Sequence, residues 1–259
     1  MHQLLKPKWL AGHILALGLV VLFINLGFWQ VRRLQTRRSY NAQLAAYQAE
    51  TPERYDVLTQ TVPEAELSYR PVVLAGVFDD AEDVRLRSRS LNGQPGYHLL
   101  TPFVFEEGRA LLINRGWIPF DANTFSASDI EPPSGEVLVA GILYPSEQPP
   151  EDFSVQDPAT GKLDAVFFID TTRLEQQLPY SLEPHYLRLT DQRPAPNTYP
   201  VILGPEELTE GSHLNYAFQW FSFATIGIVG YVLLLRSVLK EDDDDEMRLE
   251  QLSTPSAQA

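Results

Sequence analysis

The sequence predicts an α+β membrane protein, with two transmembrane helices flanking a mainly antiparallel, β-rich extramembrane domain. Three observations carry that expectation. Two windows, residues 9–29 and 213–235, hold no charged side chain other than one histidine each, although charged residues make up 21% of the 259-residue chain. Between them, short apolar runs with period-two alternation are punctuated by tight-turn signals. Proline gathers at the joins, notably at Pro132-Pro133, Pro149-Pro150 and residues 194–200, and no regular strand–helix alternation appears, so the middle reads as α+β and not as βαβ units.

The first window is long enough at about 1.5 Å per residue to cross a hydrocarbon core of roughly 30 Å. Lys6 and Lys8 precede it, as they would a secretory signal, but residues 24–30 are bulky and offer no small-x-small cleavage site. The window is therefore expected to be a signal anchor. The short segment ahead of it leaves no room for an organelle transit peptide, which favours a bacterial membrane protein. Arg236 and Lys240 follow the second window, whereas Glu206, Glu207 and Glu210 precede it. Arg32, Arg33, Arg37 and Arg38 point the other way, but long loops translocate largely regardless of charge. The expected organisation is a cytoplasmic N-terminus (1–8), a first transmembrane helix (9–29), a periplasmic α+β domain (30–212), a second transmembrane helix (213–235) and an acidic, disordered cytoplasmic tail (236–259). A bacterial inner-membrane protein with both termini cytoplasmic follows.

Residues 30–50 contain no glycine or proline and read as an extension of the first helix, stopped at Thr51-Pro52. Strands are expected over 72–78, 84–89, 96–105, 110–114, 136–143, 166–169 and 186–189, with turns at Asn92-Gly93 and Glu106-Glu107-Gly108. Asp170 or Thr171 is placed to cap a short helix over 173–178. The acids at 241–246 repel one another, which is the basis for expecting disorder there.

A formal net charge of -14 argues against nucleic acid as a partner. The absence of cysteine excludes disulfides, thiolate metal sites and cysteine catalysis. No phosphate-cradling glycine loop, nucleophile elbow or HExxH zinc helix is present, so no enzyme activity is expected. Of the five histidines, His2 is terminal, and His98 and His185 fall in or beside strands, where a structural role is the simpler reading. His13 and His213 border opposite ends of the two windows, on the order of 20 Å apart at helical rise, and cannot share one metal. Asn25 in the first window and Asn215 and Gln219 in the second share the depth of His213, where these amides can pair across the helices. On a helix, His213, Tyr216 or Ala217, and Trp220 fall on one face. An imidazole above an aromatic wall suits a planar cofactor such as haem, with His213 as axial ligand. An aromatic belt at a membrane interface is the competing reading.

Five segments, in order, carry a resemblance. Gly27-Phe28-Trp29-Gln30-Val31-Arg32-Arg33 resembles the GxWQxxR motif of the Surfeit locus protein family, the cytochrome c oxidase assembly factors. Tyr69-Arg70-Pro71-Val72 with Gly76 and Phe78 is similar to its YRxV…GxF strand. Gly96-Tyr97-His98 through Thr101-Pro102-Phe103 and Asn114-Arg115-Gly116-Trp117 with Pro119 are similar to its GYxxxTPF and NRGWxP segments. The run from His213 to Phe221 resembles the closing HLxYAxQWF. Arg37 stands where many members have lysine, and Asn215 where serine or glycine is common. The resemblance implies two spans around a periplasmic domain and a role in maturing oxidase subunit I alongside other assembly factors. Some bacterial members are implicated in holding haem a, with the histidine that opens the second span as candidate ligand; here that is His213. The alternative is a cofactor-free membrane scaffold for a subunit I intermediate. Trp117 is expected either to anchor on the domain or bilayer surface or to close a strand end as a packed side chain.

Overall fold

The computed structural model describes residues 3–121, 125–150, 157–205 and 208–253. The chain forms two compact units, one made of Met1–Ala42 with Thr209–Ala259, the other of Gln43–Leu208.

The first unit is built on two long helices. Helix α1 runs Pro7–Gln48, with Pro7 in the first turn, where its missing N–H leaves no partner unsatisfied. It passes through residues 30–48 without a break, as the lack of glycine and proline there requires. The C-terminal helix, His213–Ser253, begins at the second apolar window and continues through the acidic run. That corrects the expectation of a disordered tail. Nothing in residues 236–253 breaks a helix, and Met247, Leu249, Glu250 and Gln251 are good helix formers. Residues 254–259 of the expected tail, like His2, lie outside the described residues. Both helices are long and apolar enough to cross a membrane. Their apolar side chains point mostly outward: Ile14 is 73% exposed and Phe218 76%.

In the second unit, β1 (Glu53–Arg54) leads into α2 (Tyr55–Thr61), which the sequence reading missed. There follow β2 (Pro71–Phe78), β3 (Val84–Leu91), β4 (Gln94–Glu106), β5 (Arg109–Pro119), α3 (Ala127–Ile130), β6 (Val137–Pro145), β7 (Ala165–Val166), α4 (Thr171–Glu175) and β8 (Ser181–Arg193). The turns fall where expected, with Asn92, Gly93 and Gly108 all at positive φ. The α4 cap is Asp170, whose carboxylate accepts from Arg173 N at 3.1 Å. The strand expected over 166–169 is only the two-residue β7. With the C-terminal helix labelled α5, the eight strands form one sheet in the order β1-β2-β6-β8-β5-β4-β3-β7.

An added β2–β4 pairing, Val77 with Val104 and Phe78 with Phe103, joins β2, β6, β8, β5 and β4 into a closed ring. The domain is mixed and not simply antiparallel. Five pairings are antiparallel, but β1–β2, β3–β7 and β5–β8 are parallel. The long chain between β5 and β8 lets β8 return in the same direction as β5, which no hairpin permits.

Strand β5 is buried on both faces. Leu111 and Ile113 enter one core cluster with Phe103, Val139 and Leu187; Ala110 and Leu112 enter a second with Leu86, Leu100 and Tyr186. Such a strand needs the near-continuous apolar run Ala-Leu-Leu-Ile that the sequence supplies. Each fully buried Leu or Ile contributes about 1.5–3 kcal/mol of apolar transfer.

Candidate functional site

The start of α5 is held against α1 by a ladder of polar contacts. Arg38 makes a bidentate pair with Glu210, at 2.8 Å on both oxygens. Arg37 Nε and Asn41 Nδ2 both donate to Thr209 O, at 3.2 and 3.0 Å. These contacts fix residues 209–210 and so the first turn of α5. There His213 Nδ1 lies 2.9 Å from Gln30 Oε1. An amide oxygen can only accept, so Nδ1 is the donor in this contact. Gln30 is buried at 8% exposure, and His213 is half-buried.

Below this pair the helices meet along one stripe. Ala217 and Ala224 are buried, Trp220 stacks on Phe23 at 5.7 Å, and the Phe221 ring lies against Gly27 and meets Phe28 edge-on at 5.4 Å. At the far end His13 hydrogen-bonds Tyr231, and its Nε2 donates to Leu4 O at 3.1 Å. The two histidines thus have separate partners.

Some site residues expected from the sequence fall elsewhere. Asn25 Nδ2 donates to Val21 O of its own helix at 2.7 Å, and Asn215 and Gln219 are exposed, so none of the three joins His213. The partner is Gln30. Tyr216 is 49% exposed and turns away from the stripe; Ala217 occupies the inward position instead. Trp29 is half-exposed and Arg32 exposed on α1.

A cavity of about 480 Å³ opens beside His213, lined also by Arg33, Arg37, Tyr40 and Glu210. Among the described residues no group of three His, Cys, Asp or Glu side chains could hold a metal ion. A metal here would have to arrive with most of its own ligands. A haem is such a group, and His213 is the nitrogen ligand that this cavity would offer it. The other ring nitrogen, Nδ1, is engaged by an amide oxygen, an arrangement that also orients the imidazoles of metal-bound histidines. The nearby Arg33 and Arg37 are cations suited to carboxylates.

The remaining motif positions belong to the β-domain. Tyr69 has positive φ, and its N–H donates to Leu143 O at 2.7 Å. Arg70 pairs with Glu50 at 2.6 Å and stacks over Tyr47. Tyr97 stacks on Phe120 at 5.4 Å. Arg115 is 1% exposed; its Nη2 donates to Ile130 O at 2.9 Å and its guanidinium lies 5.0 Å over the Phe78 ring. Burial pushes its pKa down, against the pull of Asp83 and Asp80. Trp117 is 4% exposed, which corrects the surface-anchor alternative: the indole is packed inside the domain.

Asp83, hydrogen-bonded by the Thr101 hydroxyl, is pushed up to about 6 by burial, with Thr101 and Arg115 opposing. A raised acid costs nothing below its unfolded pKa and destabilises as pH rises through the folded value. Asp83→Asn removes that cost. The stability of the variant relative to wild type should therefore increase between pH 4 and 7, by on the order of 2–3 kcal/mol. Thermal melts of both proteins across that range test it; a difference that stays flat contradicts a buried, raised Asp83.

Two long apolar helices joined by a histidine–amide pair, with a mixed-sheet domain between them in the sequence, define a protein that presents one imidazole beside an apolar helix pair. Over residues 17–225 the chain matches the model of the SURF1 family, and it belongs to that family. It is 26% identical to a SURF1-like protein of Rickettsia felis over 223 residues, 84% of this chain and 94% of that one. It is also 26% identical to a SURF1-like protein of Rickettsia bellii over 236 residues (89% and 93%). A SURF1-like protein of Caenorhabditis elegans is 25% identical over 251 residues, 87% of this chain and 74% of that one.

Proposed function

We propose that this protein is a membrane-anchored cytochrome c oxidase assembly factor that binds haem a through His213 and delivers it to subunit I during maturation. Family membership supports the assembly role, since the SURF1 family is linked to cytochrome c oxidase assembly. The observation that carries the haem role is the 2.9 Å contact between Gln30 Oε1 and His213 Nδ1. It orients the imidazole through Nδ1 with a buried amide, which leaves Nε2 as the nitrogen to offer an iron.

The apolar outer surfaces of both helices favour a bilayer as their surroundings, because such surface is not left facing water. Both helices span the bacterial inner membrane in this reading, with the termini cytoplasmic and the β-domain periplasmic. The bound group brings the iron and the redox-active ring. This chain's residues would hold it: His213 would supply an imidazole nitrogen, Gln30 would orient that ring through Nδ1, and Arg33 and Arg37 would pair with its carboxylates. One nitrogen ligand and an exposed approach suit a carrier that must release its cargo, and no catalytic step is assigned.

In a deletion strain, the a-type absorbance of the membranes should fall several-fold and return with the wild-type gene but not with His213→Ala. Full rescue by His213→Ala would leave the protein as a cofactor-free scaffold for a subunit I intermediate.

A further inference from the structure

Arg89, His98, Asn114, Trp117 and Arg188 come from four strands and share one face of the sheet. Register sets them side by side: Arg89 opposes Gly96, His98 opposes Trp117, and Asn114 opposes Arg188. Leu100, Leu112 and Tyr186, each two residues along from His98, Asn114 and Arg188, belong to the second core cluster. Strand alternation then puts these three polar side chains on that same face, at the end of the apolar core. Gly96 has no side chain, and the Trp117 Nε1 edge lies directly against it; a Cβ there would collide with the indole.

Nearly every free group in this cluster is a hydrogen-bond donor. Asn114 Nδ2 sits 3.2 Å from His98 Nδ1, so the amide donates and the ring keeps its proton on Nε2. Burial, with help from Arg89 and Arg188, lowers the His98 pKa to about 4, so the ring is neutral at physiological pH. Among the described residues the Trp117 indole N–H has no acceptor, and Asn114 Oδ1 no donor, although these residues are only 4% and 5% exposed. Buried polar groups without partners are rare and need an explanation. Arg188 donates through Nε to Gly204 O, and Arg89 to the carbonyls of Arg87 and Ser88. Among the described residues, neither guanidinium has a carboxylate within ion-pair distance, in a chain of net charge -14.

We propose that this face binds a phosphate group, with Arg89 and Arg188 meeting its charge and the His98 and Trp117 ring N–H groups its remaining oxygens. Phosphate fits better than carboxylate because its charge, about −1.5 to −2, matches two guanidinium groups, whereas a carboxylate neutralises one. Asn114 Oδ1 accepts from a protonated phosphate oxygen. The phosphate can come from a phospholipid headgroup or from free phosphate.

The test uses the full chain, ¹⁵N-labelled on tryptophan, in a maltoside detergent that contains no phosphate. The Trp117 indole resonance is assigned by its loss in Trp117→Phe. Inorganic phosphate should shift it saturably, and Arg188→Gln or Arg89→Gln should weaken that response at least ~10-fold. A second arm adds short-chain phosphatidic acid instead. A shift with the lipid alone assigns the headgroup as source, whereas a shift with both, tighter for the free ion, assigns inorganic phosphate. The proposal is overturned if neither probe moves the Trp117 resonance, or if the shift is unchanged in both arginine variants. Arg89→Gln alone keeps the test decisive should Arg188→Gln fail to fold, because the bonds of Arg89 run to adjacent carbonyls of its own strand.

Discussion

Gly116→Ala is expected to destabilise the β-domain by about 3 kcal/mol or more, a large part of the roughly 5–15 kcal/mol that holds a domain together. Gly116 has φ 133°, a region that side-chain-bearing residues scarcely enter. A Cβ there would also run into the backbone oxygen of Val201. Neither side can yield cheaply. Trp117 N donates to Val201 O at 2.9 Å and Val201 N to Trp117 O at 2.8 Å, so the two segments are stapled at that point. At roughly 2–4 °C per kcal/mol for a unit of this size, the melting temperature should fall by about 6–12 °C. Cellular protein levels should fall with it. A melting temperature within about 2 °C of wild type would show that the close approach is not needed.

Arg115→Leu should cost about 3 kcal/mol, through charge rather than volume. The leucine leaves Ile130 O without its donor and Asp83 without the cation that opposes its raised pKa, both inside the domain. It gains apolar contact with Phe78, which offsets part of the loss. Arg115→Lys should recover less than half, because an ammonium lacks the planar group that lies over the ring and reaches Ile130 together. The deficit of Arg115→Leu should shrink at pH 4.5, where Asp83 is protonated and no longer needs a cation. Melts of the three proteins at pH 7 and pH 4.5 read both effects. Equal deficits at the two pH values would separate Arg115 from Asp83.

Local features of this fold were legible because short-range chemistry writes them. The Asn92-Gly93 turn, the Asp170 cap and the two apolar windows each depend on neighbouring residues. Closure of the ring through Val77 and Val104, and the parallel β5–β8 pair, depend on pairings between distant segments that periodicity does not encode. The site divides the same way. His213 stood out as an imidazole at the start of an apolar helix, but its partner lies 183 residues away. Matching by depth selected Asn25, whereas the direction around the helix decides. Five residues at about 100° each place Asn25 and Gln30 roughly 140° apart. Gln30 shares its stripe with Phe23 and Gly27, and that i, i+4, i+7 spacing was the available signal. The acidic run at 241–246 misled because charge repulsion was weighed without the uninterrupted helix leading into it.

The most direct test of the central claim is an absorption spectrum. Wild-type protein and His213→Ala are purified side by side from cells that make haem a. The wild type should carry a haem a spectrum that His213→Ala lacks, and Gln30→Leu should bind roughly 10–100-fold more weakly through loss of the orienting amide. A wild-type spectrum retained unchanged in His213→Ala would contradict the assignment of His213 as the ligand.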